Sequence, residues 1–393
     1  MARVAFQKTH FLVKGWAVPE IFGKGPLANA IRSQSKLSKK MYKTPLPALN
    51  PHFAHNFRMK HEKSPNLRTT RTVVDLSDGG ILGIDKMELP DSTSQGSVSN
   101  KPIVLVFPGG SVTTYSPKAQ TLCMSYLTAG YSDVYMCNYR GKCNTPLLTP
   151  RLSFPIGEYN DLSAVVTHVS EKFPDRPILI VGDCFGSRFA IDYLTRDDNV
   201  IDSNVVGGVF HSIQWNSDTA VPLSLTEPLY SRYWKPWGRF NKDLLVKGQG
   251  KKGNKEFVQQ VYEKIGSDGF NTLSSLSMEQ SSDMDLLYLA GFSKLVDGAF
   301  TDYKDYFDKT SPHLKIKNLS LSRPLIVINA DDDPMAPISL EDIADIEKDP
   351  KLCLWFFSAG GHGSYVSRLF PCDNFINATM VECSDILISN LGE

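Results

Sequence analysis

Short runs of apolar, largely β-branched residues recur along the chain, each bounded by turn residues, and they predict β-strands. The first two runs flank Asp78-Gly79-Gly80, which predicts an antiparallel hairpin. Helix-length segments separate most later runs, and this alternation is typical of an open, mostly parallel sheet covered by helices. The predicted strands are 71–76, 81–87, 103–107, 133–137, 177–181, 205–210, 325–329 and 352–357, and the predicted helices include 118–129, 159–172 and 187–194.

The interval 211–322 breaks this alternation, because it holds many aromatic residues and no obvious strand. It is too long for a loop in a compact domain, so we interpret it as a helical cap over the carboxyl edge of the sheet, where such sheets bind ligands. Its Lys/Gly-rich stretch 247–255 is a predicted mobile loop. We therefore expect an N-terminal arm at 1–65, a first core part at 66–210, the cap at 211–322 and a second core part at 323–393.

Composition narrows the class of protein further. The chain has 393 residues, of which 41% are hydrophobic and 21% charged, and its formal net charge is zero. This composition is typical of globular proteins, and the neutral balance argues against nucleic acid as a partner. No apolar run approaches the ~18 residues of a membrane-spanning helix. The seven cysteines include no C-x-x-C pair, which disfavours a zinc site or a disulfide framework and favours a reducing, cytoplasmic location.

The first 43 residues are locally basic, with nine Lys/Arg residues and a single acid, Glu20. They lack the continuous apolar region of a secretory signal. One interpretation is an arm that contacts a membrane surface, or an organelle-targeting segment. The other is an extended arm packed on the domain. The expected partners are therefore a small-molecule substrate and, through this arm, a membrane surface.

The sharpest chemical signal is Gly182-Asp183-Cys184-Phe185-Gly186, which follows an apolar strand and precedes a helical run. The same pattern with serine places a nucleophile on a strained strand-to-helix turn, and the glycines leave room for that turn. The helix dipole favours an anion at this position, and therefore a thiolate. The competing interpretation is a buried cysteine in an ordinary turn. We predict that Cys184 is a covalent nucleophile.

A nucleophile of this kind needs a base and an acid that orients the base. His362 lies in the glycine-rich segment after strand 352–357, and three aspartates follow strand 325–329. Their order in the chain, nucleophile then acid then histidine, is the expected one. Asp333 begins a D-P-x-x-P turn and is our preferred acid, with Asp332 as the second choice. A metal site is disfavoured because three adjacent aspartates cannot all point inward.

Two further groups complete the predicted site. The loop Pro108-Gly109-Gly110-Ser111 follows the first parallel strand, and its N–H groups, with that of Phe185, form a predicted oxyanion hole. Trp234 and Trp237 alternate with cations in the cap and form a predicted grip for an acyl chain or an anionic coenzyme A phosphate. A purely structural corner of the cap is the other interpretation of that stretch.

These motifs together resemble the abhydrolase-domain branch of the α/β-hydrolases, which holds plant embryogenesis-associated proteins, bacterial esterases and yeast medium-chain ethyl-ester synthases. The resemblance covers roughly 48–390, and it implies an α/β-hydrolase fold and a Ser–Asp–His esterase, lipase or acyltransferase without a cofactor. Tyr303 lies in a segment similar to a cap helix of that family and joins the predicted substrate-binding residues. The similar motifs are Asn50-Pro51-His52, Asp75 to Gly79, Asn138-Tyr139-Arg140-Gly141, Asn329 to Pro334 and Gly360-Gly361-His362.

The chain departs from the family's pattern at its nucleophile, where cysteine replaces serine, and Ser187 stands where the family usually has glycine. A thiolate attacks readily at neutral pH, and the resulting thioester passes its acyl group to amines, thiols and carbon nucleophiles more readily than an oxyester does. We therefore expect an ester or thioester hydrolase, or an acyltransferase. The alternative is a non-hydrolytic protein that binds, cyclises or isomerises a specialised metabolite.

Overall fold

The computed structural model describes most of the chain, including Cys184, Asp333 and His362 and the strands that precede them. The described ranges are 16–90, 100–110, 112–152, 159–195, 201–216, 239–240, 242–248, 254–277, 291, 294–295, 301–302, 305, 311–318 and 321–391.

A nine-stranded sheet forms the centre of the fold, in the order β2-β11-β10-β9-β8-β6-β7-β5-β4. The strands from β11 to β7 are all parallel, while β2, β5 and β4 run antiparallel to their neighbours. This arrangement confirms the prediction of a mostly parallel sheet with an N-terminal hairpin. The strands are β1 (Trp16–Ala17), β2 (Glu20–Phe22), β3 (Tyr42–Lys43), β4 (Arg68–Asp75), β5 (Ile81–Glu88), β6 (Ile103–Phe107), β7 (Val134–Cys137), β8 (Ile178–Asp183), β9 (Val205–His211), β10 (Leu325–Ala330), β11 (Leu352–Phe357), β12 (Val366–Arg368) and β13 (Asp373–Asn374).

Helices cover both faces of this sheet, because alternate strand residues point to opposite sides. Ile103 and Leu105 of β6 join one apolar cluster, while Val104 and Val106 join the other. The first cluster packs against α4, α5 and α8, and the second packs against α1, α3 and α9. The helices are α1 (Pro26–Gln34), α2 (Pro51–His61), α3 (Pro117–Thr128), α4 (Tyr159–Lys172), α5 (Phe185–Leu194), α6 (Lys255–Ser275), α7 (Pro312–Asn318), α8 (Leu340–Ile346) and α9 (Ile376–Ser389).

The N-terminal segment contributes structure that the hydrophobic pattern did not predict. Strand β2 pairs antiparallel with the outer edge of β11, joining Phe22 to Leu354 and Ile21 to Trp355. Four buried side chains of α1 enter the second apolar cluster. From residue 20 onward, therefore, the described part of the arm is integrated into the core.

Helices α6 and α7 and a helical segment at 242–247 lie within the interval that we interpreted as a cap. Gly266 has φ 77° and ψ 171°, so α6 consists of two helical pieces joined at that residue. Within the described ranges, no helix is both long and apolar enough to cross a membrane.

Candidate active site

The turn at Cys184 joins β8 directly to α5. Cys184 caps the helix with φ 52° and ψ −110°, a backbone conformation that side-chain-bearing residues rarely adopt and that costs energy. Gly186 permits the turn to pass close to β6, since a Cβ there would lie 2.0 Å from the carbonyl oxygen of Phe107. The sheet thus holds the thiol in a strained turn at the carboxyl ends of its parallel strands.

His362 and Asp333 meet beside this turn. The ring Nδ1 of His362 lies 3.0 Å from each carboxylate oxygen of Asp333, and both side chains are buried. The N–H groups of Met335 and Ala336 each donate to Asp333 Oδ1 at 2.9 Å. Because Nδ1 faces Asp333, the hydrogen bond between His362 and Cys184 uses the other ring nitrogen, Nε2.

Burial and neighbouring charges together set the pKa values of His362 and Asp333. Burial lowers the pKa of His362, but the negative charges of Asp333 and Cys184 and the hydrogen bonds to both residues raise it well above 6.5. Burial raises the pKa of Asp333, but the charge of His362 and the hydrogen bonds that the carboxylate accepts outweigh burial and lower that pKa overall. The site therefore favours an ionised Asp333 beside a basic imidazole.

Asp332 has a different set of contacts. Its Oδ1 accepts hydrogen bonds from the N–H groups of Gly360 and Gly361, both at 2.8 Å. Burial raises the pKa of Asp332 to about 7, although those two hydrogen bonds act in the opposite direction. Asp333 therefore contacts the imidazole, and Asp332 contacts the backbone just before it.

The predicted oxyanion loop lies against the same turn. A Cβ on Gly109 would lie 3.5 Å from the Cβ of Cys184, and Gly110 is the next residue of the loop. Phe185, the other predicted donor, is the first residue of α5 and follows Cys184 directly. The carbonyl oxygen of Pro108 accepts a hydrogen bond from the buried Tyr139 hydroxyl at 2.5 Å, which fixes the start of the loop.

Sequence patterns did not reveal a buried ion pair next to the nucleophile. Lys118 Nζ lies 2.8 and 2.7 Å from the two carboxylate oxygens of Asp183, the residue before Cys184. His211 Nε2 lies 3.2 Å from Asp183 Oδ1. Burial is the largest cause that lowers the pKa of His211, to about 3, so Lys118 is the cation that balances Asp183. These residues are far apart in the sequence, and only the sheet brings them together.

This ion pair also touches the other loops of the site. A Cβ on Gly109 would lie 3.2 Å from Asp183 Oδ2, and a Cβ on Gly363 would lie 2.8 Å from Lys118 Nζ. The turn at Cys184, the predicted oxyanion loop and the His362 loop therefore all pack on the Lys118–Asp183 pair. Removal of either charge would disturb all three.

Helix α2 supports the His362 loop from outside. Asn50 caps the helix, accepting hydrogen bonds from the N–H groups of His52 and Phe53 at 3.0 Å each. Farther along α2, Arg58 donates to the carbonyl oxygen of Gly363. The side chain of His55 hydrogen-bonds the carbonyl oxygen of His362 at 3.2 Å. The Asn-Pro-His motif thus begins a helix that positions the predicted base.

Four predicted residues, Ser111, Trp234, Trp237 and Tyr303, lie outside the described residues. Their proposed roles stay predictions. Among the residues that are described, no group of three or more His, Cys, Asp or Glu side chains is arranged to hold a metal ion.

Several known proteins are similar to this chain along most of its length. No protein-family model matches the chain. Phospholipase ABHD3 of Mus musculus is 26% identical over 311 residues, covering 78% of this chain and 69% of that protein. Embryogenesis-associated protein EMB8 of Picea glauca is 24% identical over 327 residues, covering 81% and 66%. These relatives confirm the resemblance to the abhydrolase-domain branch of the α/β-hydrolases that the motifs indicated. They support an enzyme of the α/β-hydrolase type.

Further similarities are more distant. Monoacylglycerol lipase of Saccharomyces cerevisiae is 20% identical to this chain over 348 residues, covering 86% of this chain and 66% of that enzyme. Among solved structures, an esterase of Pyrococcus furiosus has a TM-score of 0.48 at 13% identity, covering 83% of this chain and 92% of that chain. Mouse alpha/beta hydrolase domain-containing protein 10 has a TM-score of 0.43 at 12% identity, covering 82% and 100%.

Proposed function

We propose that this protein transfers acyl groups from an ester or thioester through a covalent intermediate on Cys184. His362 serves as general base and Asp333 orients it. The observation that carries the proposal is the buried chain of contacts from Asp333 through His362 to Cys184. The three residues come from three loops that follow β10, β11 and β8, so the fold itself assembles the set.

In the first half of the proposed reaction, the Cys184 thiol gives its proton to His362 Nε2, and the resulting thiolate, beside the positively charged imidazole, attacks the acyl carbonyl carbon. The carbonyl oxygen becomes an oxyanion, which the N–H groups of Phe185 and the Gly109–Gly110 loop are positioned to stabilise. The tetrahedral intermediate then expels the leaving alcohol or thiol. His362 returns the proton to it, and the acyl group remains on sulfur as a thioester.

In the second half, an acceptor attacks this thioester and passes its proton to His362. The tetrahedral intermediate collapses, and the proton returns to the departing Cys184 sulfur. Water as acceptor gives hydrolysis, whereas an alcohol, thiol or amine gives transfer. Asp333 holds the ring with Nδ1 protonated throughout, which leaves Nε2 free to exchange protons.

The relatives indicate the substrate class. Two of them are named as a phospholipase and a monoacylglycerol lipase, and both names refer to acyl esters of glycerol lipids. We propose a lipid acyl ester as donor, bound under a cap formed by residues 211–322, with Trp234, Trp237 and Tyr303 against the acyl chain.

The test is acyl trapping on the intact protein. We expect p-nitrophenyl esters and acyl thioesters to add one acyl mass to the wild-type chain and none to Cys184→Ala. Cys372→Ala is the control, because Cys372 is a free thiol that is more exposed than the buried Cys184, and its removal should leave the adduct unchanged. An adduct that persisted in Cys184→Ala would contradict the proposal.

A second measurement separates the possible reactions. Turnover in water alone indicates hydrolysis, and turnover that requires an added alcohol, thiol or amine indicates transfer. Ligand-induced stabilisation without any adduct or turnover would instead support the non-hydrolytic alternative.

The location of the protein is part of the same proposal. We propose a cytoplasmic enzyme whose basic N-terminal arm contacts a membrane surface. Vesicle pelleting of the chain with and without residues 1–15 tests the arm, since those residues precede every described strand. Equal pelleting of both forms would remove the arm from the proposal.

A further inference from the structure

Helix α2 contacts the His362 loop on one side and carries exposed aromatic rings on another. Phe53 is 40% exposed, and its ring stacks on Phe57 with centroids 5.5 Å apart. Phe370, which follows β12, is 72% exposed and meets Phe57 edge-on at 5.3 Å. Leu46, at the start of the short 3₁₀ helix Leu46–Leu49 that packs on α2, is 82% exposed. We call Phe53, Phe57 and Phe370 the Phe370 surface.

Rings held together at the surface in this way retain a large area of contact with water. A single exposed apolar side chain is ordinary, but a contiguous group of them marks a binding surface. Phe57 is nearly buried and acts as the support on which Phe53 and Phe370 rest. The arrangement therefore presents two large rings outward on a rigid base.

The exposed charges of the segment that carries Phe53 and Phe57 are positive. The segment 36–63 contains six lysines, all exposed, and its only acid is Glu62. That carboxylate is buried and paired with Arg58 at 2.8 Å, so it does not offset the lysines at the surface. Lys60 lies three residues after Phe57, on the same side of the helix. Near Phe370, Asp373 is exposed but pairs with Arg368 at 3.8 Å.

We propose that the Phe370 surface docks on an anionic phospholipid bilayer. Exposed aromatic rings beside lysines are the combination that binds the interfacial region, where rings enter the headgroup boundary and ammonium groups meet anionic lipids. Lysine stems can also lie along apolar surface while their charges remain in water. A protein partner would have to be acidic as well as apolar, and a second copy of this chain is one outcome of the test below.

Docking at this surface has a consequence for the active site. Because α2 carries Phe53 and Phe57 as well as the side chains that hold the His362 loop, the loop would lie about one helix diameter, ~10 Å, from the docked face. The bilayer would then be adjacent to the predicted base. This deepens the proposed function, since a lipid acyl ester would reach the site without crossing bulk water.

The experiment measures co-sedimentation with vesicles of phosphatidylcholine alone and of phosphatidylcholine mixed with phosphatidylserine. The variants are Phe53→Ser with Phe370→Ser, Lys60→Glu with Lys63→Glu, and Leu340→Ser as the matched control, because Leu340 is 82% exposed on a different helix. We expect the wild type and the control to bind the mixed vesicles. Each double variant should bind about tenfold or more weakly, and added salt should weaken the wild type.

A second assay keeps this inference separate from the proposed function. The double variants should turn over a short, water-soluble ester like the wild type and lose activity only on vesicle substrates. If no ester is a substrate but vesicle binding behaves as expected, the proposed function fails and the docking surface stands. Vesicle binding that is unchanged by the four surface substitutions would overturn the docking surface. A concentration-dependent dimer that these substitutions abolish would overturn it as well.

Discussion

Substitution of Asp183 by asparagine tests how far the buried ion pair stabilises this fold. Asparagine keeps the size of the side chain but removes its charge, and Lys118 then remains buried without a balancing anion. The Lys118 side chain is 10% exposed and that of Asp183 is 3% exposed, with 2.7 Å between the charged atoms. Little solvent is therefore available to replace the lost carboxylate.

The magnitude follows from that burial. Breaking a buried ion pair by removing one partner costs about 3–5 kcal/mol, because the remaining charge stays desolvated. An exposed pair is worth about 0–1 kcal/mol. Lys348 and Asp345 form such a pair at 2.5 Å, with Lys348 72% exposed, and Lys348→Met is therefore the matched control. Since domains of this kind are stable by about 5–15 kcal/mol, Asp183→Asn should leave a marginal protein.

The assay is urea unfolding at pH 7 of Asp183→Asn, Lys118→Met and the double variant. We expect each single variant to lose about 3–5 kcal/mol and the double variant to lose clearly less than their sum, since it leaves no unbalanced charge. Single variants that lose under about 1 kcal/mol, like the exposed control, would refute the reasoning. Additive losses in the double variant would refute it as well.

The same pair predicts a dependence of stability on acid. Burial raises the pKa of Asp183, but Lys118 and His211 outweigh it and hold the pKa below its ordinary value of 3.8. A carboxyl with a depressed folded-state pKa stabilises fully above its unfolded value and loses that contribution as the pH falls below it. The wild type should therefore lose stability below about pH 4 more steeply than Asp183→Asn.

Three further predictions concern the site itself. Asp333→Asn should lower kcat by about 10³–10⁴-fold, because the imidazole loses the acceptor that orients it. Asp332→Asn should lower kcat far less. Ester turnover measures both variants, and equal losses would contradict the assignment of Asp333. Gly186→Ala should destabilise the chain by about 3 kcal/mol or more in thermal unfolding, because its Cβ has no space, and an unchanged Tm would count against this geometry. At pH 6–7, iodoacetamide should modify Cys184 much more slowly in His362→Gln than in the wild type, since a positively charged imidazole favours the thiolate. Peptide mass mapping measures the rate of modification, and equal rates would argue against the contact between His362 and Cys184.

Much of the sheet could be predicted from sequence because its strands carry strong local patterns. The strands at 103–107 and 352–357 have the predicted bounds, and β8 is offset by only one or two residues at each end. Cys184 and His362 stand out for the same reason, since each follows an apolar strand within a group of glycines. A local sequence pattern was sufficient to predict an element or a site residue wherever the backbone itself required particular residue types.

Contacts between distant segments could not be predicted in this way. Lys118 and Asp183 are 65 residues apart, and no feature of either neighbourhood requires the other. The choice between Asp332 and Asp333 depends on the direction of two adjacent side chains, which no periodic pattern encodes. Strand β2 is three residues long and becomes a strand only because the edge of β11 accepts it.

That short strand also bears on how the protein can be shortened. Without β2, the outer edge of β11 would present unpaired backbone groups along a strand that contains Leu354, Trp355 and Phe356, and an exposed apolar edge is a template for aggregation. Glu382 of α9 accepts hydrogen bonds from Ser35 and from the N–H of Lys36, which fastens the same segment to the C-terminal helix. Shortened chains that start after residue 22 should therefore precipitate, whereas those that start at residue 16 keep the edge of β11 covered.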